Sequence, residues 1–197
     1  ALDPNGTSAA TAGSAVVPNM FGQQRTLVML VNFQDNPTLQ PWTVDQVRNF
    51  VFGQVSNYFL ENSYQQTWLT GDVFGWYTIP QSSTTCGELN LKSYAEQAAA
   101  AHGADLNSYQ HYLYLFPNNA CQFSGSSTVG GNPSKSMVNG DFSLGVIAHE
   151  LAHGFGLYHS HSYQLDGTSL EYGDTLDMMG ASRSAHFNAF QKERLGW

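Results

Sequence analysis

The segment from Phe142 to Ser160 constrains this chain of 197 residues more than any other part of its sequence. It reads FSLGVIAHELAHGFGLYHS, and its apolar residues have the spacing of a buried helix. Such a helix does not normally bury histidines and a glutamate unless these polar side chains have partners. A metal ion is one partner that several imidazoles can bind at once. The fold must therefore bring this helix to a place where a metal site can form.

Three histidines of this segment have the spacing of ligands to one ion. His149 and His153 are four residues apart, so their imidazoles project from one helix face, one turn apart. Gly156 can adopt a left-handed conformation that ends the helix, and His159 can then turn back toward the same ion. Three neutral imidazoles leave Zn²⁺ with an open position for water, as in catalytic zinc sites. We therefore predict a zinc site with these three ligands.

Glu150 follows the first of these histidines and is predicted to be the general base. It is placed to accept a proton from water and to return that proton to a leaving amine. The pattern HExxHxxGxxH arises by chance in a chain of this length on the order of once in 100,000 sequences. His161 competes with His159 for the third ligand position, but the spacing from Gly156 favours His159. We expect His161 to be a surface imidazole or one that contacts a ligand.

The stretch HELAHGFGLYH resembles the extended zinc motif of the metzincins, a clan of zinc endopeptidases. Downstream, EYGDTLDMMG at residues 171–180 is similar to the methionine-containing turn of that clan, in the form typical of the gametolysin (cell-wall autolysin) family and its bacterial relatives. By this resemblance Met179, rather than Met178, is the turn methionine. The resemblance is specific over residues 142–197 and only general over residues 24–140.

The resemblance implies a zinc-dependent endopeptidase with an α/β (α+β) fold. In the family, a twisted mixed sheet with packed helices lies above a cleft, the zinc helix lies beneath it, and an irregular subdomain follows Gly156. We therefore expect one catalytic domain over residues 1–197, divided into an upper part (1–156) and a lower part (157–197). The substrate, an extended peptide strand, would pair with an edge strand that we place within residues 121–140.

One position departs from the metzincin pattern. Many members carry a tyrosine two residues after the turn methionine, where it can approach the metal, but this chain has Ala181 there. No residue is carried over for that role. Four side chains are conceivable substitutes: Tyr158, Tyr163, Tyr172 and His186.

The segment after the histidines is acidic and contains Asp166, Glu171, Asp174 and Asp177. A calcium site would need several converging oxygens, and the spacing does not match a known calcium loop. We prefer a loop with Asx turns that also provides a carboxylate to a ligand histidine. Calcium binding stays possible.

Strand and helix patterns alternate through the first 116 residues and predict a twisted, mostly parallel sheet with helices packed on it. Residues 1–23 are predicted to form an N-terminal arm. The predicted elements are strands over Arg25–Phe33, Trp68–Ile79 (bent at its glycines) and Tyr109–Phe116, a helix capped by Thr43 and running to about Asn62, and a helix over Leu89–His102.

Composition excludes some partners. The chain has fifteen Asp and Glu against seven Lys and Arg, a net charge of −8, which gives no electrostatic footprint for nucleic acid or anionic lipid. No apolar run is long enough to span a membrane. The first residue is alanine rather than methionine, and we interpret the chain as a processed form without its export signal.

Two cysteines, Cys86 and Cys121, lie in polar loops. They are either two unrelated thiols or one disulfide formed in an oxidising compartment, and the second interpretation is preferred. Together with the few lysines, it predicts a secreted protein.

Two other functions compete with an endopeptidase that acts as a monomer on extracellular proteins. One is a zinc amidase acting on cell-wall glycan or peptidoglycan. The other is a non-catalytic zinc-binding adhesion module, although a structural zinc site usually takes four protein ligands and has no use for a general base.

Overall fold

The structure, a computed structural model, describes residues 20–182 and 184–197, so most of the predicted N-terminal arm lies outside the described residues. The main sheet contains β1 (Gly22–Phe33), β2 (Thr67–Ile79), β3 (His111–Phe116), β4 (Gly125–Ser127) and β5 (Ser134–Asn139). A small hairpin contains β6 (Ser162–Tyr163) and β7 (Ser169–Leu170). The α-helices are α1 (Val44–Asn49), α2 (Ser56–Asn62), α3 (Glu88–Ala101), α4 (Leu144–Gly154) and α5 (Ala189–Leu195).

The main sheet is mixed and has the strand order β2-β1-β3-β5-β4. Four strands run parallel, and β4 pairs antiparallel with β5 at the edge. This arrangement confirms the predicted fold class. The arm was predicted to extend to residue 23, but β1 already begins at Gly22, where it pairs with Thr67 of β2.

The continuous apolar run of β1 is explained by two cores, one on each face of the sheet. Leu27, Met29 and Val31 pack in the same cluster as residues of α3. Val28 and Leu30 belong to the cluster that contains α1, α2 and α4. Because successive side chains of a strand point to opposite faces, a strand buried on both sides is apolar at every position. The zinc helix predicted from the sequence, α4, therefore lies against one face of the sheet.

The helix predicted from Thr43 to Asn62 begins as expected but is not a single α-helix. The Thr43 side chain accepts a hydrogen bond from the Gln46 backbone, and the Gln46 side chain accepts one from the Thr43 backbone. Between α1 and α2 the chain forms π-helical turns over Phe50–Val55.

The apolar stripe of this segment explains the interruption. Val47, Val51, Val55 and Phe59 are fully buried and recur every four residues. Because an α-helix has 3.6 residues per turn, a stripe of period four drifts around it. The wider π-helical turn offsets this drift and keeps the stripe on the core. The number of apolar residues alone does not distinguish an α-helix from one interrupted by π-helical turns.

β2 is irregular at its glycines, as predicted. The register between β1 and β2 shifts after Leu30, opposite Gly75. A β-carbon at Gly75 would overlap the Leu30 carbonyl group, and one at Gly71 would overlap that of Thr26. The two strands approach so closely there that only glycine fits.

The predicted disulfide is confirmed. Cys86 and Cys121 are bonded, which joins the loop before α3 to the loop after β3. Among the described residues, no helix is long and apolar enough to cross a membrane.

Candidate metal centre

The helix α4 is buried along nearly its whole length. Its N-terminus is capped by Ser143, whose side chain accepts a hydrogen bond from the Val146 backbone. Residues 145–154 are all buried. Near its C-terminus, Gly154 lies so close to β5 that a β-carbon would overlap the Ser134 side chain. Contact with the sheet therefore sets the position of the histidines on this helix.

The Nε2 atoms of His149, His153 and His159 converge on one point. Nε2 of His153 lies 3.1 Å from Nε2 of His149 and 3.0 Å from Nε2 of His159. The potential ligand atoms of all three residues lie within 4.8 Å of one another. Two nitrogens bound tetrahedrally to zinc are roughly 3.3 Å apart. The spacing of the three imidazoles is close to that value.

The other ring nitrogens identify the tautomer of each imidazole. Nδ1 of His149 lies 2.9 Å from the Met178 carbonyl oxygen, and Nδ1 of His153 lies 2.8 Å from that of Leu157. Nδ1 of His159 lies 2.6 Å from a Glu171 carboxylate oxygen. Because these oxygens accept hydrogen bonds, each Nδ1 must carry the hydrogen, and in the neutral ring Nε2 carries a lone pair.

Three lone pairs facing one another repel unless a cation lies among them. Burial lowers the pKa of His153, with a smaller lowering from the neighbouring His159, so the neutral form is favoured. The donor set, the tautomers and the spacing all fit Zn²⁺.

Gly156 makes the turn that was predicted for it. Its φ is +101°, and its N–H donates to the His153 carbonyl at the end of α4. The chain reverses there and brings His159 to the other two imidazoles, whereas His161 is exposed and its Nδ1 contacts the Ser169 hydroxyl at 2.8 Å. The structure therefore brings together the three histidines selected by spacing and places His161 outside their cluster.

Glu150 is 5% exposed and lies against the edge strand β4. A β-carbon at Gly125 of that strand would overlap the Glu150 carboxylate group, so the side chain depends on a glycine at this position. The Glu150 backbone carbonyl accepts a hydrogen bond from the Ser136 hydroxyl of β5 at 3.0 Å. Both contacts hold the carboxylate beside the edge of the sheet.

A cavity of about 380 Å³ joins the carboxylate to the histidines. Glu150, His153, His159 and Tyr172 line it, together with residues of β4. A second cavity, of about 580 Å³, lies on the side of His159 that faces the hairpin and α5. The imidazole cluster is therefore reached from the surface on two sides.

Of the four side chains considered in place of the missing tyrosine, Tyr172 is the one that contacts the imidazoles. Its ring centroid is 3.8 Å from that of His159 and 6.0 Å from that of His149. Tyr158 packs against Arg194, and Tyr163 is mostly exposed. The imidazole of His186 packs against Tyr58.

The acidic segment forms local turns and bonds, as preferred from the sequence. Asp166 accepts from Thr168, and Asp174 accepts from the Leu176 backbone and from Asn188. The hydrogen bond with His159 lowers the pKa of Glu171.

Asp177 is the buried member of this segment. Burial raises its pKa, which hydrogen bonds from Ser160 and the Met179 backbone partly offset. Within residues 20–182 and 184–197, one group of three or more His, Cys, Asp or Glu side chains has the spacing of metal ligands, and it consists of the three histidines.

Sequence reasoning identified no role for Gly125, which is one of several glycines in a polar loop and has no distinguishing signal. It named Glu171 and Tyr172 only as members of larger sets. Their signal was position: both fall between the third histidine and the turn methionines. Their contact with the same imidazole, that of His159, is visible only in the folded structure.

Comparison with solved structures supports the fold. A chain in a structure described as a chaperone–substrate complex matches with 14% identity and a TM-score of 0.57, over 90% of this chain and 34% of that chain. Metalloproteinase-II from Bacteroides fragilis matches with 15% identity and a TM-score of 0.52, over 92% of this chain and 53% of that chain. The present chain therefore spans about a third and about half of these two proteins. A search of curated proteins finds no match.

The family match covers more of the chain than the motif does. The family model described as gametolysin peptidase M11 matches residues 25–197, which include the whole main sheet from Arg25 onward as well as the histidines. The general resemblance noted for residues 24–140 is thus part of one continuous match from residue 25 onward. With the sheet, the histidine helix and the turn methionines in a single alignment, this chain belongs to the gametolysin peptidase family.

Proposed function

We propose that the chain is the catalytic part of a secreted, zinc-dependent endopeptidase that acts as a monomer on extracellular proteins. One observation carries the proposal: three Nε2 lone pairs converge beside a buried glutamate, in a cavity that opens at a sheet edge. Family membership supports peptide-bond hydrolysis, and the donor set supports zinc.

His149, His153 and His159 would hold the ion. When bound, Zn²⁺ supplies Lewis acidity, which lowers the pKa of water toward about 7 and polarises a carbonyl group. The chain's own contribution is to fix the tautomer and the orientation of each imidazole. Met178, Leu157 and Glu171 do this by accepting a hydrogen bond from each Nδ1.

Glu150 would act as the proton carrier. Its carboxylate is held in the wall of the cavity that His153 and His159 also line. There it can accept a proton from the attacking water and deliver it to the amine that leaves when the peptide bond breaks. Burial between α4 and β4 limits its movement, so the same group remains near both positions.

The substrate would bind as an added strand on β4. This strand pairs with β5 on one side only, and its outer edge pairs with no strand in the part of the chain that the structure describes. A peptide added there forms main-chain hydrogen bonds whatever its side chains are. Because Gly125 of β4 touches Glu150, a peptide on this edge lies next to the carboxylate.

Secretion is part of the proposal and is supported by the Cys86–Cys121 disulfide, since such bonds are rare in reducing compartments. Titration of the denatured, unreduced protein recovered from culture medium should find no free thiol. Two reactive thiols would contradict this part of the proposal.

Zinc analysis combined with a protease assay tests the proposal as a whole. The purified chain should contain about one zinc per molecule, cleave casein or gelatin, lose activity with a zinc chelator and regain it when zinc is restored. Peptidoglycan and chitin are tested in parallel, because a zinc amidase would cleave one of these and leave casein intact. A zinc-loaded chain that cleaves none of them would favour the adhesion module.

A further inference from the structure

The third histidine is held differently from the other two. His149 and His153 are buried on a helix that packs against the sheet, and each donates to a backbone carbonyl oxygen. His159 lies beyond the helix, and 22% of its side chain is exposed. A residue on an irregular segment needs local contacts to keep one orientation, because no helix fixes its backbone.

Two consecutive residues provide such contacts from two directions. The Glu171 carboxylate contacts the edge of the His159 ring, with one oxygen 2.6 Å from Nδ1. The Tyr172 ring covers the face of the same imidazole, with 3.8 Å between centroids and 35° between planes. Together they restrict both rotation of the ring and movement away from the cluster.

The backbone at this point has an uncommon conformation. Tyr172 has a φ of +59°, in the left-handed region that a bulky residue rarely adopts. Such a conformation is unfavourable for a residue with a bulky side chain and persists when surrounding contacts determine it. It allows neighbouring side chains to converge on one ring, since in an extended strand they would point to opposite faces.

We propose that Glu171 and Tyr172 form a clamp that positions His159 and thereby determines how tightly the site holds zinc. The clamp rests on the proposed function in one respect, that this site takes zinc. Glu171 supplies a negative charge and a fixed acceptor, which raise the basicity of a ligand imidazole. Tyr172 supplies a packing surface. Both are positioning residues, because each acts through His159.

The exposure of the Glu171 side chain makes the clamp distinguishable from a carboxylate that contacts His159 without serving it. Its side chain is 60% exposed, and an exposed carboxylate near a neutral imidazole contributes little to folding by itself. If it serves the ligand, its removal changes zinc binding much more than it changes the stability of the zinc-free protein. If it is only a surface group, neither quantity changes.

The test measures the zinc dissociation constant of the whole chain by competition with a chelator. Glu171→Ala should weaken zinc binding by roughly 10- to 100-fold, the range found for partners of ligand histidines. Glu171→Gln should weaken it less, because an amide oxygen still accepts from Nδ1. Glu193→Ala, which removes an exposed carboxylate from α5, is the matched control and should bind like the wild type.

Tyr172 requires two variants. Tyr172→Phe keeps the ring and should retain wild-type zinc affinity. Tyr172→Asn removes the ring but tolerates the left-handed backbone, so a several-fold loss would be due to packing rather than to strain. For Glu171→Ala and Tyr172→Asn, the free-zinc concentration that gives half of the maximal activity should rise. It should rise by the same factor as the zinc dissociation constant of each variant.

The outcomes separate the clamp from the proposed function. If the wild type binds zinc tightly but Glu171→Ala and Tyr172→Asn bind it within twofold of wild type, the clamp is wrong and the proposed function stands. A wild type that binds no zinc overturns both. Thermal melts of the zinc-free variants detect loss of fold. Should Glu171→Ala not fold, Glu171→Gln and Tyr172→Asn decide, and wild-type affinity in both overturns the clamp.

Discussion

The helix α4 with its sheet and the segment after Gly156 are built in different ways. In the first region, apolar side chains of α1, α2 and four strands form one buried cluster with those of α4. Among the described residues of the segment 157–197, the regular elements are the short hairpin of β6 and β7 and the helix α5. The comparison shows that the histidine cluster takes its side chains from a buried helix and from an irregular segment. Two imidazoles and the glutamate belong to the first, and the third imidazole belongs to the second.

Polar contacts compensate for the lack of regular structure in the C-terminal segment. The Ser160 backbone donates to the Met179 carbonyl, and the Ser160 hydroxyl donates to Asp177 at 2.6 Å. Gln191 of α5 donates to the Tyr158 carbonyl, and Arg194 donates to that of Gly156. Because this segment has few regular elements, it is expected to open before the sheet does.

The largest expected effect concerns the histidines of the two regions. His153→Ala should abolish zinc binding and activity together, and His159→Ala should weaken zinc binding severely. His161→Ala should leave most of the activity, because its imidazole lies outside the cluster and contacts Ser169. Zinc content per chain and casein hydrolysis measure both properties. A zinc-free His161→Ala protein, with zinc still present in His159→Ala, would show that the third ligand is wrong.

A substitution of Glu150, the proposed base, tests the helix α4 while the three histidines stay in place. Glu150→Ala should keep zinc and fold but lower kcat by roughly 10²- to 10⁴-fold, the contribution of general acid–base catalysis. Zinc analysis and kcat on a peptide substrate are the two measurements, with Glu193→Ala as the control for loss of a carboxylate. If the variant keeps more than about a tenth of the wild-type kcat, Glu150 is not the base.

Acid should weaken the sheet region through His111. This imidazole is buried between Ser134 and Gln24, and burial lowers its pKa from 6.5 to about 4. The unfolded chain therefore binds a proton at this residue at a higher pH than the folded chain does. The stability it contributes is complete above pH 6.5 and is lost as the pH falls toward 4. The loss amounts to about 3 kcal/mol.

Urea unfolding at several pH values measures this effect as the difference between wild type and His111→Gln. The variant should lack this part of the pH dependence, whereas the exposed His102→Gln should behave like the wild type. Parallel curves for wild type and His111→Gln between pH 7 and 4 would show that His111 does not control the acid stability of the sheet.

The smallest effect concerns the turn methionines of the irregular region. Met178 and Met179 are both fully buried, and their carbonyls accept from His149 and Ser160. A leucine keeps these backbone bonds and nearly the same volume, so Met179→Leu should cost less than about 1.5 kcal/mol in the free energy of unfolding. Thermal or urea unfolding measures it. A much larger loss for Met178→Leu would mean that Met178 is the turn methionine.

The regular elements were predictable to within a few residues, and the exceptions have physical causes. The Thr43 cap, β1 and α3 were predictable because their formation depends on residues that are close together in the sequence. The π-helical turns over Phe50–Val55 follow from packing against the sheet. The strand predicted from Tyr109 begins at His111, because residues 106–108 form a 3₁₀ turn first.

The division of residues 1–197 into one domain with two parts stays a prediction, as do the ligand and base assignments. The structure supplies the geometry for those assignments. Each carboxylate of the acidic segment accepts a hydrogen bond from a local partner.

The local part of the histidine cluster follows from the sequence. Four-residue spacing places His149 and His153 on one helix face, and a glycine three residues later permits the turn that returns His159. These relations hold in any fold that contains the segment, because they depend only on helix geometry and on the conformations open to glycine. The groups that surround the imidazoles, in contrast, depend on tertiary packing. Glu171, Tyr172 and Gly125 come from 12, 13 and 25 residues away from the side chains they touch, and the path of a loop over that distance depends on packing across the whole molecule.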